Sequence, residues 1–189
     1  MQNCKRFTLL KLDQEGKESA LLDEKGVQVA LVEGSNLEAQ FKTRGEFLII
    51  TSNANPFEEE LRFYLLNAGK MEVIDSLSFG LPYHPGIFRV LNVSSIGHLE
   101  FSFFDNERWR LLILKTPRRH FPRLFSSFRY TGGLLTKHSL YLEKCQEVIQ
   151  SDLENGLVIT LKFNPISWVH KLRMRYSKRW SGRQRPPSA

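Results

Sequence analysis

The stretch that decides the fold is HLEFSFFDNERWRLLILK, residues 98–115. Phe101 and Phe103 alternate with polar neighbours before the turn residues DNE, and Trp109 opens a second alternating run after them. A period of two places successive side chains on opposite faces of a strand. The stretch therefore predicts an antiparallel hairpin with Trp109 in the core.

Similar short runs of Val, Ile, Leu and Phe recur between turn residues, which is typical of an all-β protein. Gly26 in DEKG (23–26) and Gly69 in NAGK (67–70) occupy turn positions that need a positive φ. The segment GLPYHPGIF (80–88) contains two prolines and two glycines and is predicted to be a loop or corner between sheets. Strands are predicted at 6–12, 18–23, 26–33, 46–52, 61–67, 70–79, 86–93, 98–105, 108–115 and 157–163.

Two helices are predicted near the C-terminus. Apolar residues recur at helical spacing between Ser139 and Asp152. Asn164 is a favoured N-cap, Pro165 suits the first helical position, and Gly182 can close a helix that runs to Trp180. The fold class is therefore mainly β, an antiparallel two-sheet sandwich with one or two helices. We expect a β-sandwich domain at 1–163, a basic amphipathic helix at 164–182 and a disordered tail at 183–189.

Composition bounds the class of protein. The chain has 189 residues, 41% of them hydrophobic, which is enough for one domain with a core of its own. Cys4 and Cys145 match neither a disulfide framework nor a zinc-site spacing. No apolar run suits a signal peptide or approaches the roughly 20 residues of a spanning helix. We expect a cytoplasmic protein, either free or peripheral to a membrane.

The net charge of +7 is carried by the C-terminal part, since residues 155–189 contain eight Lys and Arg residues and no Asp or Glu. Such asymmetry indicates an anionic partner. In the predicted helix Trp168, Leu172, Tyr176 and Trp180 share an apolar arc with basic residues on its flanks. Three alternatives stay open for it: packing on the sandwich, insertion at an anionic membrane surface, or binding of nucleic acid.

The segment TPRRHFPRLFSSFRYTGG (116–133) is predicted to be a long loop in which arginines interleave with aromatic residues. Proteins that bind single-stranded nucleic acid use this combination, although alternating strand faces also produce it. Another protein is a further possible partner. The predicted partner-binding residues are Arg118, Arg119, Arg123, Trp168, Lys171, Arg173, Arg175, Lys178, Arg179 and Trp180.

Catalytic motifs are missing from the sequence: the five histidines are scattered, and there is neither a GxSxG elbow nor a glycine-rich phosphate loop. No metal, cofactor or small-molecule ligand is predicted. The sequence favours a non-catalytic binding module. The alternative is a small hydrolase with a site near Tyr83, His84 and the acidic cluster at 58–60.

Overall fold

The computed structural model describes residues 1–13, 17–53, 59–81, 83–95, 97–104, 107–119, 128–131 and 136–145. All of these belong to one unit, Met1–Glu147. The predicted strand at 157–163, the helix at 164–182 and the tail at 183–189 lie outside the described residues.

The fold is mainly β, as predicted, and the described ranges contain strands but no helix. They accordingly hold no helix long and apolar enough to cross a membrane. The strands are β1 Gln2–Asn3, β2 Thr8–Lys11, β3 Ser19–Leu22, β4 Gln28–Val32, β5 Asn36–Lys42, β6 Glu46–Ser52, β7 Glu60–Asn67, β8 Val73–Gly80, β9 Arg89–Val93, β10 His98–Ser102, β11 Arg108–Arg119, β12 Phe128–Tyr130 and β13 Lys137–Lys144.

These strands form three antiparallel sheets. The six-stranded sheet has the order β1-β5-β6-β7-β8-β12, the four-stranded sheet β13-β11-β10-β9, and the three-stranded sheet β2-β3-β4. The segment after β8 leads from the six-stranded to the four-stranded sheet, which confirms the predicted corner at 80–88 except that Gly80 still belongs to β8.

Strand β6 is buried on both faces. Its sequence EFLIITS is an almost continuous apolar run, and every residue from Phe47 to Ser52 is buried. Leu48 and Ile50 lie in one core cluster, whereas Phe47 and Ile49 lie in a second. Because neighbouring side chains in a strand point to opposite faces, the six-stranded sheet carries a core on each side.

The first core joins the six-stranded and the four-stranded sheets. It contains Phe63 and Phe79 from the former and Phe101 and Trp109 from the latter. Trp109 is only 8% exposed, and its ring centroid lies 4.6 Å from that of Phe79. The register of β10 and β11 pairs Phe101 with Trp109. The predicted hairpin and the burial of Trp109 are both confirmed.

The second core joins the opposite face of the six-stranded sheet to the three-stranded sheet. Leu21 and Val32 of the small sheet cluster there with Phe47 and Leu66. Phe7, which precedes β2, packs edge-on against Phe47 with 5.1 Å between ring centroids. The three-stranded sheet therefore covers apolar side chains that would otherwise face solvent.

The turns were predicted with mixed success. Gly26 has a φ of 75°, as expected, and Asp23 Oδ1 accepts the N–H groups of Lys25 and Val27 at 2.9 Å. At the other turn the prediction was wrong, because Met71 rather than Gly69 takes the positive φ, of 58°. The side chain of Asn67 stabilises that turn by accepting the N–H of Gly69 at 2.9 Å.

The predicted helix starting at Ser139 is wrong over its described residues, which belong to strand β13 and to Cys145 beyond it. Leu140 and Leu142 are buried while Tyr141 and Glu143 are half-buried, which is a period of two. Strand β11 supplies the backbone partners of β13. A hydrogen-bonded neighbour from elsewhere in the chain thus overrides the local helical spacing of the apolar residues.

Candidate functional site

Of the ten predicted partner-binding residues, the structure describes Arg118 and Arg119. Both are exposed at the end of β11. They were predicted in the part of the long loop 116–133 that spans 118–123. The loop prediction is wrong at 116–119, which belong to β11, and at Phe128–Tyr130, which form β12. Arg123 and the seven predicted residues of 164–182 lie outside the described residues.

The pairing of strand β11 with β13 contains an irregularity before β11 ends at Arg119. Its pairing with β13 is regular up to Ile113, shifts register, and resumes at Arg118. Pro117 lies within the shifted stretch. Proline has no N–H for a ladder hydrogen bond, and a β-bulge is where a sheet tolerates it. The bulge therefore allows the ribbon of β11 and β13 to extend past the rest of the sheet.

The end of this ribbon carries cations on both strands. Arg119 pairs directly with Lys137 of β13, and both side chains are exposed. Lys115 and Arg118 are also exposed. Across the described ranges, none of these four residues forms an ion pair with a carboxylate. We call Lys115, Arg118, Arg119 and Lys137 the ribbon-end cations.

The other end of β11 is neutralised. Arg110 lies between Glu100 of β10 and Glu143 of β13 in register, and its guanidinium reaches them at 2.7 Å and 3.4 Å. The hydrogen bond from Arg110 lowers the pKa of the Glu100 carboxyl, and the same bond raises the pKa of Arg110. Opposite charges across strands stabilise a sheet, and like charges directly opposite each other destabilise it. Strand β11 therefore has a cation between two carboxylates at Arg110 and a cation opposite another cation at Arg119.

A buried polar cluster holds the first residues of β13. Asp75 of β8 accepts the N–H groups of Ser139 at 2.6 Å and Leu140 at 2.8 Å through Oδ2, and its Oδ1 accepts the His138 Nδ1 proton at 2.9 Å. Asp75 and His138 are 8% and 2% exposed. Because β8 and β13 belong to different sheets, Asp75 fixes the position of the strand that carries Lys137.

Strand β12 adds another cation near this cluster. The ring of Tyr130 packs against His138 with 4.5 Å between centroids. Burial raises the pKa of Tyr130. Arg129, the neighbour of Tyr130 in β12, is exposed. Since His138 is the cross-strand partner of Arg118, Arg129 lies in the same region as the ribbon-end cations.

The structure also brings together parts of the alternative hydrolase site. The Gly86 N–H donates to Glu59 Oε2 at 3.0 Å, so that the 81–88 segment contacts the acidic cluster. Tyr83 is 81% exposed and has a φ of 62°, which is uncommon for a residue other than glycine. His84 is exposed, whereas the carboxylate of Glu60 pairs with Arg62 at 2.6 Å. Glu58 lies outside the described residues.

Metal and thiol chemistry find little support in the described ranges. No group of three or more His, Cys, Asp or Glu residues there could hold a metal ion. Cys4 and Cys145 are free thiols, and burial raises the pKa of both. A raised thiol pKa disfavours the reactive thiolate.

The sequence missed Lys137 and Asp75 as site residues. Lys137 can be recognised as a site residue only from the register, which places it opposite Arg119. Asp75 did leave a signal, because it is in phase with the buried Leu77 and Phe79 in VIDSLSF. An Asp at a core-facing position of a strand needs buried hydrogen-bond donors, which marks it as a structural or functional residue.

Comparison with known proteins gives no further guide: no family model matches the chain, and neither a curated protein nor a solved structure is significantly similar to it.

Proposed function

We propose that the protein is a non-catalytic binding module whose ribbon-end cations contact an anionic macromolecule, either nucleic acid or an anionic membrane surface. In this proposal the six-stranded and four-stranded sheets form a β-sandwich that serves as the scaffold. The observation that carries the proposal is the contrast along β11. Arg110 has carboxylates on both sides, whereas Arg119 faces Lys137 directly.

The pairing of Arg119 with Lys137 is unfavourable by itself, because like charges directly opposite each other destabilise a strand pair. An anion bound between Arg119 and Lys137 offsets this cost and gains charge-assisted hydrogen bonds. The bulge and the Asp75 hydrogen bonds hold the two strands in register, so the cations are positioned before the partner arrives.

The sequence supplies a second basic element for the same role. The segment 164–182 is proposed to be an amphipathic helix that contacts the partner through Trp168, Trp180 and the basic residues between them. This part of the proposal rests on the composition and periodicity of the segment. A cytoplasmic location, free or at a membrane surface, is proposed with it.

Binding to two probes at about 50 mM salt tests the proposal, because contacts to phosphates are strong at low salt. One probe is a labelled single-stranded oligonucleotide, and the other is a vesicle of phosphatidylserine and phosphatidylcholine. Replacing Arg118, Arg119 and Lys137 by Glu is expected to abolish retention. The control replaces the exposed Lys5, Lys25 and Lys70 by Glu, which changes the net charge equally.

The two triple variants give a clear outcome. Weak binding by the first and near-normal binding by the control supports a localised site. Equal weakening of both would show that only net charge matters, and retention of neither probe by the unmodified protein would refute the proposal. In the 164–182 segment, changing Lys171, Arg175 and Lys178 to Glu tests the helix separately.

The hydrolase alternative is supported by the contact between Glu59 and Gly86 and by the positive φ of Tyr83, since strained backbone clusters at functional sites. It predicts hydrolysis of a panel of chromogenic esters and phosphoesters that His84→Ala abolishes and Glu59→Gln reduces. Absence of turnover above the uncatalysed rate would refute it.

A further inference from the structure

The bulge in β11 contains a threonine that is followed directly by a proline. Thr116 and Pro117 lie in the shifted stretch between Ile113 and Arg118, and both are exposed. They form the only Ser-Pro or Thr-Pro step in the sequence of 189 residues. Two arginines follow, so that the local sequence is TPRR. The bulge thus presents a hydroxyl group at the surface within a short basic motif.

The backbone around Thr116 lies outside the regular strand pairing. The register of β11 with β10 ends at Leu112, and its register with β13 stops at Ile113 and resumes at Arg118. Residues 114–117 therefore have no register partner in either of these strands. On the β13 side of the bulge, the Ser139 N–H donates to the Asp75 carboxylate. The Thr116 hydroxyl is thus accessible where the strand ladder is already interrupted.

The charges around Thr116 suit a phosphate group. Lys115 is its direct neighbour, and Arg118 is two residues further on, which corresponds to about 7 Å in an extended chain. Arg119 and its cross-strand partner Lys137 follow at the end of the ribbon. Among the described residues none of these cations forms an ion pair with a carboxylate. A phosphate on Thr116 would lie within the Debye length, about 10 Å at 0.1 M salt, of the nearest two.

We infer that Thr116 is a phosphorylation site for a proline-directed serine/threonine kinase, and that its phosphate prevents the ribbon-end cations from binding their partner. The inference rests on the proposed function, because it concerns the regulation of the same cations. Kinases of this class require a proline directly after the acceptor and favour a basic residue two or three positions after it. Pro117, Arg118 and Arg119 meet these requirements.

The modification is a phosphoryl transfer from the Mg-ATP that the kinase binds. The Oγ atom of Thr116 forms a bond to the γ-phosphorus, the bond from this phosphorus to the oxygen bridging the β-phosphate breaks, and ADP leaves. The hydroxyl proton passes to the catalytic aspartate of the kinase and then to solvent. Hydrolysis of the phosphoester by a phosphatase consumes one water, releases inorganic phosphate and restores the hydroxyl group.

The phosphate changes the charge at the end of the ribbon. A phosphothreonine carries about −1.5 to −2 at pH 7, whereas the four ribbon-end cations together carry +4. It therefore cancels up to about half of their charge. Its oxygens also form charge-assisted hydrogen bonds with arginine, so it competes with the partner for Arg118. An anionic macromolecule then finds fewer cations and binds more weakly.

Treatment of the full chain with a recombinant cyclin-dependent kinase, a member of this class, and Mg-ATP tests the site. Tandem mass spectrometry is expected to find one added phosphate, on Thr116. Thr116→Ala and Pro117→Ala are expected to abolish the modification. Thr8→Ala is the matched control, because Thr8 is exposed in β2 but is followed by leucine. Phosphorylation of a synthetic peptide of residues 112–121 without modification of the folded protein would overturn the inference.

Binding to the labelled single-stranded oligonucleotide tests the effect of the phosphate. Each contact to a phosphate of a single strand contributes about 0.7 to the slope of log K against log salt. Loss of one contact is therefore expected to lower the slope by about 0.7 and to weaken binding about tenfold at 50 mM salt. Kinase-treated Thr116→Ala is expected to bind normally, and phosphatase treatment of the phosphorylated protein is expected to restore binding.

The possible outcomes distinguish the inference from the proposed function. Unchanged binding of the oligonucleotide and of the vesicle by the phosphorylated protein would overturn the inference and leave the proposed function standing. Absence of phosphate on Thr116 would do the same. Retention of neither probe by the unmodified protein would refute the proposed function and the regulatory role, whereas modification of Thr116 would still confirm the site.

Discussion

Replacing Asp75 by Asn is expected to destabilise the protein strongly although it changes only one functional group. The Asp75 side chain accepts four hydrogen bonds, from His138 Nδ1 and from the N–H groups of Ser76, Ser139 and Leu140, at 2.6–2.9 Å. An amide has a single acceptor oxygen. If its NH2 group takes the place of Oδ2, the buried N–H of Leu140 and the part-buried N–H of Ser139 face a donor, and each costs about 1–3 kcal/mol.

The expected loss for Asp75→Asn is therefore about 2–6 kcal/mol, a large share of the roughly 5–15 kcal/mol that stabilises a domain. With a urea slope of about 2 kcal/mol per molar, a loss near 4 kcal/mol lowers the unfolding midpoint by about 2 M. The control is Asp23→Asn, because Asp23 uses only Oδ1 to accept the N–H groups of Lys25 and Val27 in an exposed turn, and an amide oxygen can replace it.

Asp23→Asn is expected to change the free energy of unfolding by less than about 0.5 kcal/mol. Equal urea midpoints for the Asp75 and Asp23 variants would refute the assignment of Asp75 as the residue that ties β13 to the six-stranded sheet. Reduced protection of the Ser139 and Leu140 amides from hydrogen exchange in Asp75→Asn would locate the effect, since these N–H groups lose their acceptor.

Three further predictions concern stability. Trp109→Ala removes a side chain that is 8% exposed in the first core and is expected to cost about 3–5 kcal/mol in urea unfolding; an unchanged midpoint would contradict its packing role. Gly34→Ala is expected to lower the melting temperature, because Gly34 has a φ of 115° and a Cβ there would lie 2.7 Å from Thr51 Oγ1, whereas Gly45→Ala, with open space around it, should not. Arg110 lowers the pKa of Glu100, so the unmodified protein should be more stable than Glu100→Gln by the full amount at a pH above the ordinary pKa of 4.5. This difference in the free energy of unfolding should vanish as the pH falls through the lower pKa that Glu100 has in the folded state, and a difference that persists in stronger acid would contradict the prediction.

The sequence predicted those elements whose local pattern agrees with their environment. In residues 98–115 the period of two matches a sheet with one buried face, and the hairpin is confirmed. The run at 46–52 coincides with β6, because a strand buried on both faces is apolar throughout. In both cases the packing partner reinforces the preference that the local sequence already has.

Strand β5 escaped prediction although its sequence NLEAQFK alternates polar and apolar residues, and β13 escaped it because its pattern depends on distant residues. Gln40, at a polar position of β5, is buried because its side chain accepts the N–H groups of Arg6 and Phe7 and donates to the Phe7 carbonyl. In β13 the apolar residues fit a helix as well as a strand. Only the backbone of β11 and the carboxyl group of Asp75 decide between the two.

The candidate site was predictable in its residue types but not in its arrangement, for a reason that the register makes explicit. Ile113 pairs with Leu140, so an uninterrupted ladder would place Thr116 opposite Lys137. The bulge advances β11 by three residues, and Arg119 takes that place instead. A cation thus faces a cation because of an irregularity around Pro117, whereas Arg110 in the regular part of the same strand meets two carboxylates. Sequence composition shows that the arginines are there, but only the register determines which of them meets a carboxylate among the described residues.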